Sequence, residues 1–558
     1  MTHRFAPIAR LRRRPALWAA IGMFLVCGVL LTAVHADRPL PLGARAAIAA
    51  VRHDHASQVR LRGARWDNVT VSRVDGTLDR VRLALGSRVL ADFAVDRAGA
   101  VVRGMDYRSQ VVPYGSTIAY EPAVLGGLTL LFVLMAGVMP LRRLRNLDVL
   151  AAVSLLAPVI LLQYRYLDAS VVASLPSLLY LLGRCTWAGL GPRRPGAPAT
   201  PLLTWLTRDW EASRRVRLMG IGLVALSLVV LMVGISSTRP VDVSYAVMEG
   251  ATNLIHGVLP YGHMPGDVLH GDTYPILSYA AYAPLALVAP VSSMWDSVDG
   301  ALTVAAMSAL LAAAVLYRHA AGPRRRARRS PQEQEAGLRA AIVWLSFPPL
   351  LIVVSTGTTD VVLAVIILFA VLLWRRPAAS SGLLAVAAWF KLAPAALVPM
   401  WLAPLRGRQL VAAIAAMTAV SAAMLAVLIG VGGLAGVPAM VHAVAYQFSR
   451  GSPQSGWSAL GIEWLQPIGQ AAVLALIAAV TVRMFRDRTL SSDRTRVAAI
   501  AAGVLIGLQL SSDYWAFLYV VWVVPLLATS VLGEPATMRV ERAETFTVGP
   551  GEPVPVPA

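Results

Sequence analysis

Charge is the first thing this sequence lacks. Of its 558 residues only 14% are Asp, Glu, Lys or Arg, against 57% hydrophobic, where a water-soluble chain carries about 25% charged residues. Cysteine is nearly missing too. Cys27 and Cys185 both lie in apolar runs, have no metal-ligand spacing and support no disulfide framework; they read as small packing residues. No P-loop, Rossmann glycine pattern or nucleophile elbow occurs, and the glycines of "GVGGLAG" at 430–436 are turn formers after a helix. The chain therefore has no recognisable cradle for a nucleotide.

Acids are scarcer than bases, 30 against 50, for a net charge of +20. Nucleic-acid binding would need a basic patch on a folded soluble domain with a known motif, and none is present. The basic residues sit instead between apolar runs, as in "LRRLRN", "GPRRPG", "GPRRRARR" and "WRRP". Such placement holds loops on the cytoplasmic side of a membrane, with contact to anionic lipid headgroups as a by-product.

Many apolar runs reach the ~20 residues that span a bilayer core. The expected fold is an all-α polytopic membrane protein with about 12–14 transmembrane helices and a small extracytoplasmic α+β domain near the N-terminus. Residues 1–36 read as a cytoplasmic N-terminus and signal-anchor helix, because Arg4, Arg10, Arg12, Arg13 and Arg14 precede an apolar run over 17–34. Residues 37–122 read as that α+β domain: within them 69–102 alternates apolar and polar positions, punctuated by Asp75-Gly76 and Ala98-Gly99, which predicts antiparallel hairpins after a short helix over 39–53. Three transmembrane helices with basic loops follow over 123–216, then a membrane module over 217–532 and a cytoplasmic disordered tail over 533–558.

Two apolar stretches break the simple pattern. If 275–291 crossed fully, "GPRRRARR" would land outside, so it is expected to re-enter or lie in the interface. Likewise 381–404 is interrupted by Lys391 and Pro394 and followed at once by "LRGR", which predicts a hairpin of two short helices.

The segment 239–279 concentrates the chemistry-bearing side chains on the outer side. It holds Asp242, Glu249, Asp267 and Asp272 with Tyr261, Tyr274, His256, His263 and His270. An amphipathic helix along the membrane surface is expected over 243–257. Asp242, just past a span, is placed to act as a general base toward an acceptor hydroxyl; a helix N-cap is the plain alternative. The histidines lack zinc spacing, so no cofactor is expected, with a divalent metal held by His256, His263 and His270 beside Asp267 and Asp272 as the lesser alternative.

A long span, then Asp242, "GVLPYG" at 257–262 and "TYPILSYAAYAPLAL" at 273–287 together resemble the C-type glycosyltransferases. The likeness is greatest to their bacterial polyprenol-phosphate-mannose-dependent branch, and it extends to "WFKLAPAALVPMWLAPL" at 389–405 and "SSDYWAFLYVVWVVPLL" at 511–527. It covers roughly 217–532, and the second proline common in the family's Tyr-Pro element is Ile276 here. The resemblance implies that Asp242 is the catalytic base and that a hexose, mannose by this likeness, leaves a polyprenyl-phosphate carrier with inversion. Lys391, a lone lysine in an apolar hairpin, is the candidate partner of the donor phosphate, unless it merely snorkels; Arg450 is a second cation. Tyr261, His263, Glu249 and Tyr274 are expected to position donor or acceptor. Gln454, Ser455 and Trp457 are expected to face the sugar, with an interfacial anchor as the alternative for Trp457. Asp360 reads as a helix cap. The implied partners are the lipid-linked donor, a glycan, glycolipid or protein acceptor, and membrane lipids, at a bacterial plasma membrane with the site facing outward. The competing class is a transporter or flippase of a lipid-linked envelope precursor, which would show paired halves and midplane charges.

Overall fold

The computed structural model describes residues 44–533, apart from 62–64, 74–77, 107–113, 193–198, 265–267, 292–296, 323–328, 450–454 and positions 87, 97, 165, 236, 238, 239 and 269. The anchor helix expected over 17–34, the tail beyond Gly533, Arg450, Gln454 and Asp267 lie outside the described residues.

The first described unit is α+β. Two helices, Ala44–His53 and His55–Leu61, precede an antiparallel meander of β1 (Asn68–Arg73), β2 (Leu78–Leu85), β3 (Arg88–Asp96) and β4 (Val101–Asp106) in sequential order. Alternation does what it must in a half-buried strand: successive side chains face opposite ways. Val81 pairs with Phe93 and Leu83 with Ala91, all in a core shared with Ala47, Val51 and Leu61 of the helices. Between them on the other face, Arg82 and Asp92 form a cross-strand ion pair with bonds of 2.9 and 3.1 Å. At the β3–β4 turn Gly99 takes φ +80°, which costs glycine no steric strain. The second short helix is absent from the sequence expectation, since seven residues are too few for a periodic signal.

The rest is helical. Six described helices are long and apolar enough to cross a membrane, at Leu144–Leu162, Leu167–Leu190, Ala212–Gly234, Asp299–Ala320, Gly407–Gln447 and Glu463–Arg486. Pro331–Leu345 and Pro348–Ser355 make a seventh if counted as one span bent by 57°. The break follows from Pro348 and Pro349, which cannot supply the backbone donors a continuous helix needs. Shorter apolar helices, including Pro122–Ala136, Asp360–Leu372 and Phe517–Thr529, complete the bundle. The core is large and continuous, running from Phe132 through Trp344 and Trp401 to Trp522.

Both expected interruptions are present. Over 275–291 there are only single-turn helices, Leu277–Ala280 and Ala283–Ala286, about 6 Å each at 1.5 Å per residue. The stretch 381–404 is broken as expected, into Pro377–Phe390, extended backbone at Lys391 (φ −153°, ψ 136°), a 3-10 turn at Ala393–Leu397 and a short helix Val398–Leu402.

Arginine-bearing helix ends collect on one face. Arg145 donates to the carbonyls of Ala136, Leu532 and Gly533, and Arg496 to those of Gly189 and Gly191. These carbonyls are helix-end acceptors that would otherwise lack partners. Helix Arg494–Ser511, which carries Arg496 at its start, leads at its other end into Phe517–Trp522, whose Trp522 Nε1 donates to Asp360.

Candidate active site

The site is assembled around a turn. Helix Pro348–Ser355 ends, Gly357 turns the chain at φ +70°, and Asp360 opens the next helix. The Thr356 carbonyl accepts from the Val241 N–H at 3.2 Å and from the Ser244 hydroxyl at 2.5 Å. The first turn of helix Asp242–Ile255 is thereby fastened to the turn that leads into Asp360.

That helix differs from the expectation. It does form, but nine consecutive residues, Ser244 to Thr252, are buried, so over that stretch it lacks the exposed face expected of an amphipathic surface helix. The cause is the folded-back segment that follows it. Tyr279 packs so closely on Gly250 that an added Cβ would stand 2.2 Å from its ring. Glu249 is carried into this interior at 2% exposure, while Asp242, the first residue of the helix, stays exposed. Val243 donates its N–H to the Asp242 carboxylate at 2.9 Å.

The segment after Ile255 is held by its tyrosines. Tyr261 donates to the Tyr274 carbonyl at 3.1 Å, and Tyr279 donates to the Gly271 carbonyl at 2.7 Å while accepting from the Tyr274 N–H at 3.1 Å. Burial, and then the charge of Asp272, push the Tyr261 hydroxyl above its ordinary range, so it remains a donor at neutral pH. His263 is exposed, its Nδ1 3.0 Å from the Tyr261 carbonyl. His270 takes φ +66°, rare for a residue with a side chain, and stacks on Tyr446 with ring centroids 4.1 Å apart. Gln447 donates to the Thr273 carbonyl. Nothing in the sequence marked Tyr446 or Gln447, because their partners are about 170 residues away.

The segment then meets the broken hairpin. Ser278 donates to the carbonyl of Phe390, the residue before Lys391. Lys391 Nζ lies 2.7 Å from Asp360 Oδ1, which also accepts from Trp522 Nε1 at 2.7 Å. The ammonium sits over three rings: Tyr519 at 4.6 Å, Trp522 at 4.9 Å and Tyr274 at 5.9 Å from the centroids. Asp360 is thus no cap. It begins its helix without a side-chain capping bond, and its carboxylate is spent on Lys391 and Trp522.

Residues 273–512 match the sequence model of glycosyltransferase family 87. No curated protein and no solved structure matches the chain. With its apolar helices, the family match supports a membrane glycosyltransferase, and hence an enzyme. The matched region contains Tyr274, Asp360, Lys391, Ser455 and Trp457; Asp242, Glu249, Tyr261 and His263 precede it, and Tyr519 and Trp522 follow it.

The structure brings Tyr261, Tyr274 and Lys391 into one contiguous cluster. Ser455 and Trp457 are engaged elsewhere. The buried Ser455 hydroxyl caps helix Gly456–Leu460 by accepting from the Ser458 N–H at 3.0 Å. Trp457 donates to the Leu510 carbonyl at 2.9 Å and covers Gly469. Among the described residues, no three His, Cys, Asp or Glu side chains are grouped to hold a metal ion.

Proposed function

We propose that this protein is an inverting glycosyltransferase that moves a hexose, mannose in the preferred reading, from a polyprenyl-phosphate sugar to a cell-envelope glycan, glycolipid or exported acceptor. The observation that carries the reading is Lys391: a cation held at the break of a membrane hairpin, within the region that matches the glycosyltransferase family. A lipid-linked donor leaves as a phosphate, and a fixed ammonium in a site walled by aromatic rings stabilises that departing charge.

In this reading Asp242 takes the proton of the acceptor hydroxyl. The acceptor oxygen attacks the anomeric carbon, the bond from that carbon to the phosphate oxygen breaks, and polyprenyl phosphate departs toward Lys391. One displacement inverts the configuration. The chain's arginine-rich face is cytoplasmic by the positive-inside rule, so Asp242 and Lys391 work on the extracytoplasmic side of a bacterial plasma membrane.

The test is sugar transfer by purified protein from a panel of polyprenyl-phosphate hexoses. Wild-type protein transfers sugar from at least one, and Asp242→Asn lowers turnover by about 10²–10⁴-fold, the usual contribution of a general base. Failure of the wild-type protein with every such donor ends the proposal. Normal turnover by Asp242→Asn removes only the base.

A further inference from the structure

Asp360 and Lys391 are joined through a third group, the indole of Trp522. An ammonium has three donors, and among the described residues Asp360 is the one acceptor hydrogen-bonded to Lys391. Its remaining donors lie among the faces of Tyr519, Trp522 and Tyr274. Aromatic faces attract a cation without consuming its hydrogen bonds. The lysine is therefore anchored on one side and left able to donate on the other.

Asp360 is fully buried. A buried carboxylate with only a structural role is best served by bonds to both oxygens, because each unmet lone pair is costly. Here one oxygen takes both bonds, from Lys391 and from Trp522, and Oδ2 is buried with no hydrogen-bond partner among the described residues. This geometry sacrifices satisfaction of the carboxylate to set the direction of the lysine.

We propose that Asp360 is a positioning residue for an anion site: with Trp522 it aims the Lys391 ammonium so that its free donors meet the single phosphate of a polyprenyl-phosphate lipid. The inference rests on the reading of Lys391 given above and assigns Asp360 no contact with the reacting atoms.

The probe is polyprenyl phosphate without sugar, titrated against the full-length purified protein in detergent. Asp360→Ala and Trp522→Phe are each made alone and combined with Lys391→Gln. The expected result is that Asp360→Ala weakens binding by about tenfold or more, since a misaimed group loses most of its effect, and that Trp522→Phe weakens it less. Neither substitution changes binding further once Lys391 is Gln, because both act through it. Wild-type affinity in both single variants overturns the proposal, and so do losses that add in full to that of Lys391→Gln, which would mean a general structural role. Should Asp360→Ala fail to fold, Trp522→Phe, which keeps an aromatic face and loses the indole N–H together with its five-membered ring, decides alone. Protein that binds polyprenyl phosphate through Lys391 and Asp360 yet transfers no sugar supports this inference and ends the glycosyltransferase reading. Transfer with an unchanged donor KM in the Asp360 variant does the reverse.

Discussion

Two aspartates are fully buried in helices of the bundle, and they are used differently. Asp148 accepts from the Tyr180 hydroxyl at 2.7 Å and from Arg184 Nε with both oxygens, at 3.0 and 3.1 Å. Its charge is spread over two partners and both lone-pair sets are engaged. Asp360 commits one oxygen to Lys391 and Trp522 and leaves the other without a partner among the described residues. Arginine offers a rigid fork whose geometry suits a carboxylate, whereas lysine is a point charge with donors to spare. The first pair closes on itself. The second leaves a cation with something still to give, at the face where Asp242 and the tyrosine cluster lie.

That contrast has measurable consequences. The largest is at Lys391. Changing it to Gln is expected to lower transfer from a polyprenyl-phosphate donor by about 10²–10³-fold, the effect of losing one preorganised group at a developing negative charge. Steady-state kinetics on monodisperse protein measures it, and an unaffected rate would make the two aspartate pairs equivalent. Next comes Asp148→Asn. One partner of a buried ion pair is removed, so stability should fall by about 3–5 kcal/mol, read as a lower thermal midpoint in detergent. Turnover per folded molecule should stay at the wild-type level; a selective loss of turnover would assign Asp148 to the chemistry after all. The smallest effect is at Ser455. Ser455→Ala removes a helix cap and is expected to cost about 1 kcal/mol with an unchanged donor KM. A raised KM would return the Ser455 hydroxyl to the sugar site.

The broken hairpin was legible because its signals are local. Lys391, Pro394 and the flanking arginines lie within a few turns of one another, and a charge and a proline in an apolar run disfavour one continuous helix there. The strands of the N-terminal domain were legible for the same reason, through the period-2 alternation around Val81 and Phe93. The role of Asp360 is not legible in the sequence because its position at a helix start is a local fact, while its partners are 31 and 162 residues away. The extent of helix Asp242–Ile255 is legible in the sequence and its environment is not. Its pattern is amphipathic, but Gly250 admits Tyr279, and the folded-back segment covers the face that was expected to be wet. Trp457 and Ser455 carry the residue types of a carbohydrate site, yet their hydrogen bonds go to Leu510 and Ser458.

By itself the sequence determined the solvent of this protein and the places where helices break. Each of these follows from the local cost of placing a charge or a proline in an apolar run. Only the tertiary structure decided which cation meets which carboxylate. A buried charge is tolerable only with its partner in hydrogen-bond reach, and that reach is set by packing between segments that the chain order keeps apart.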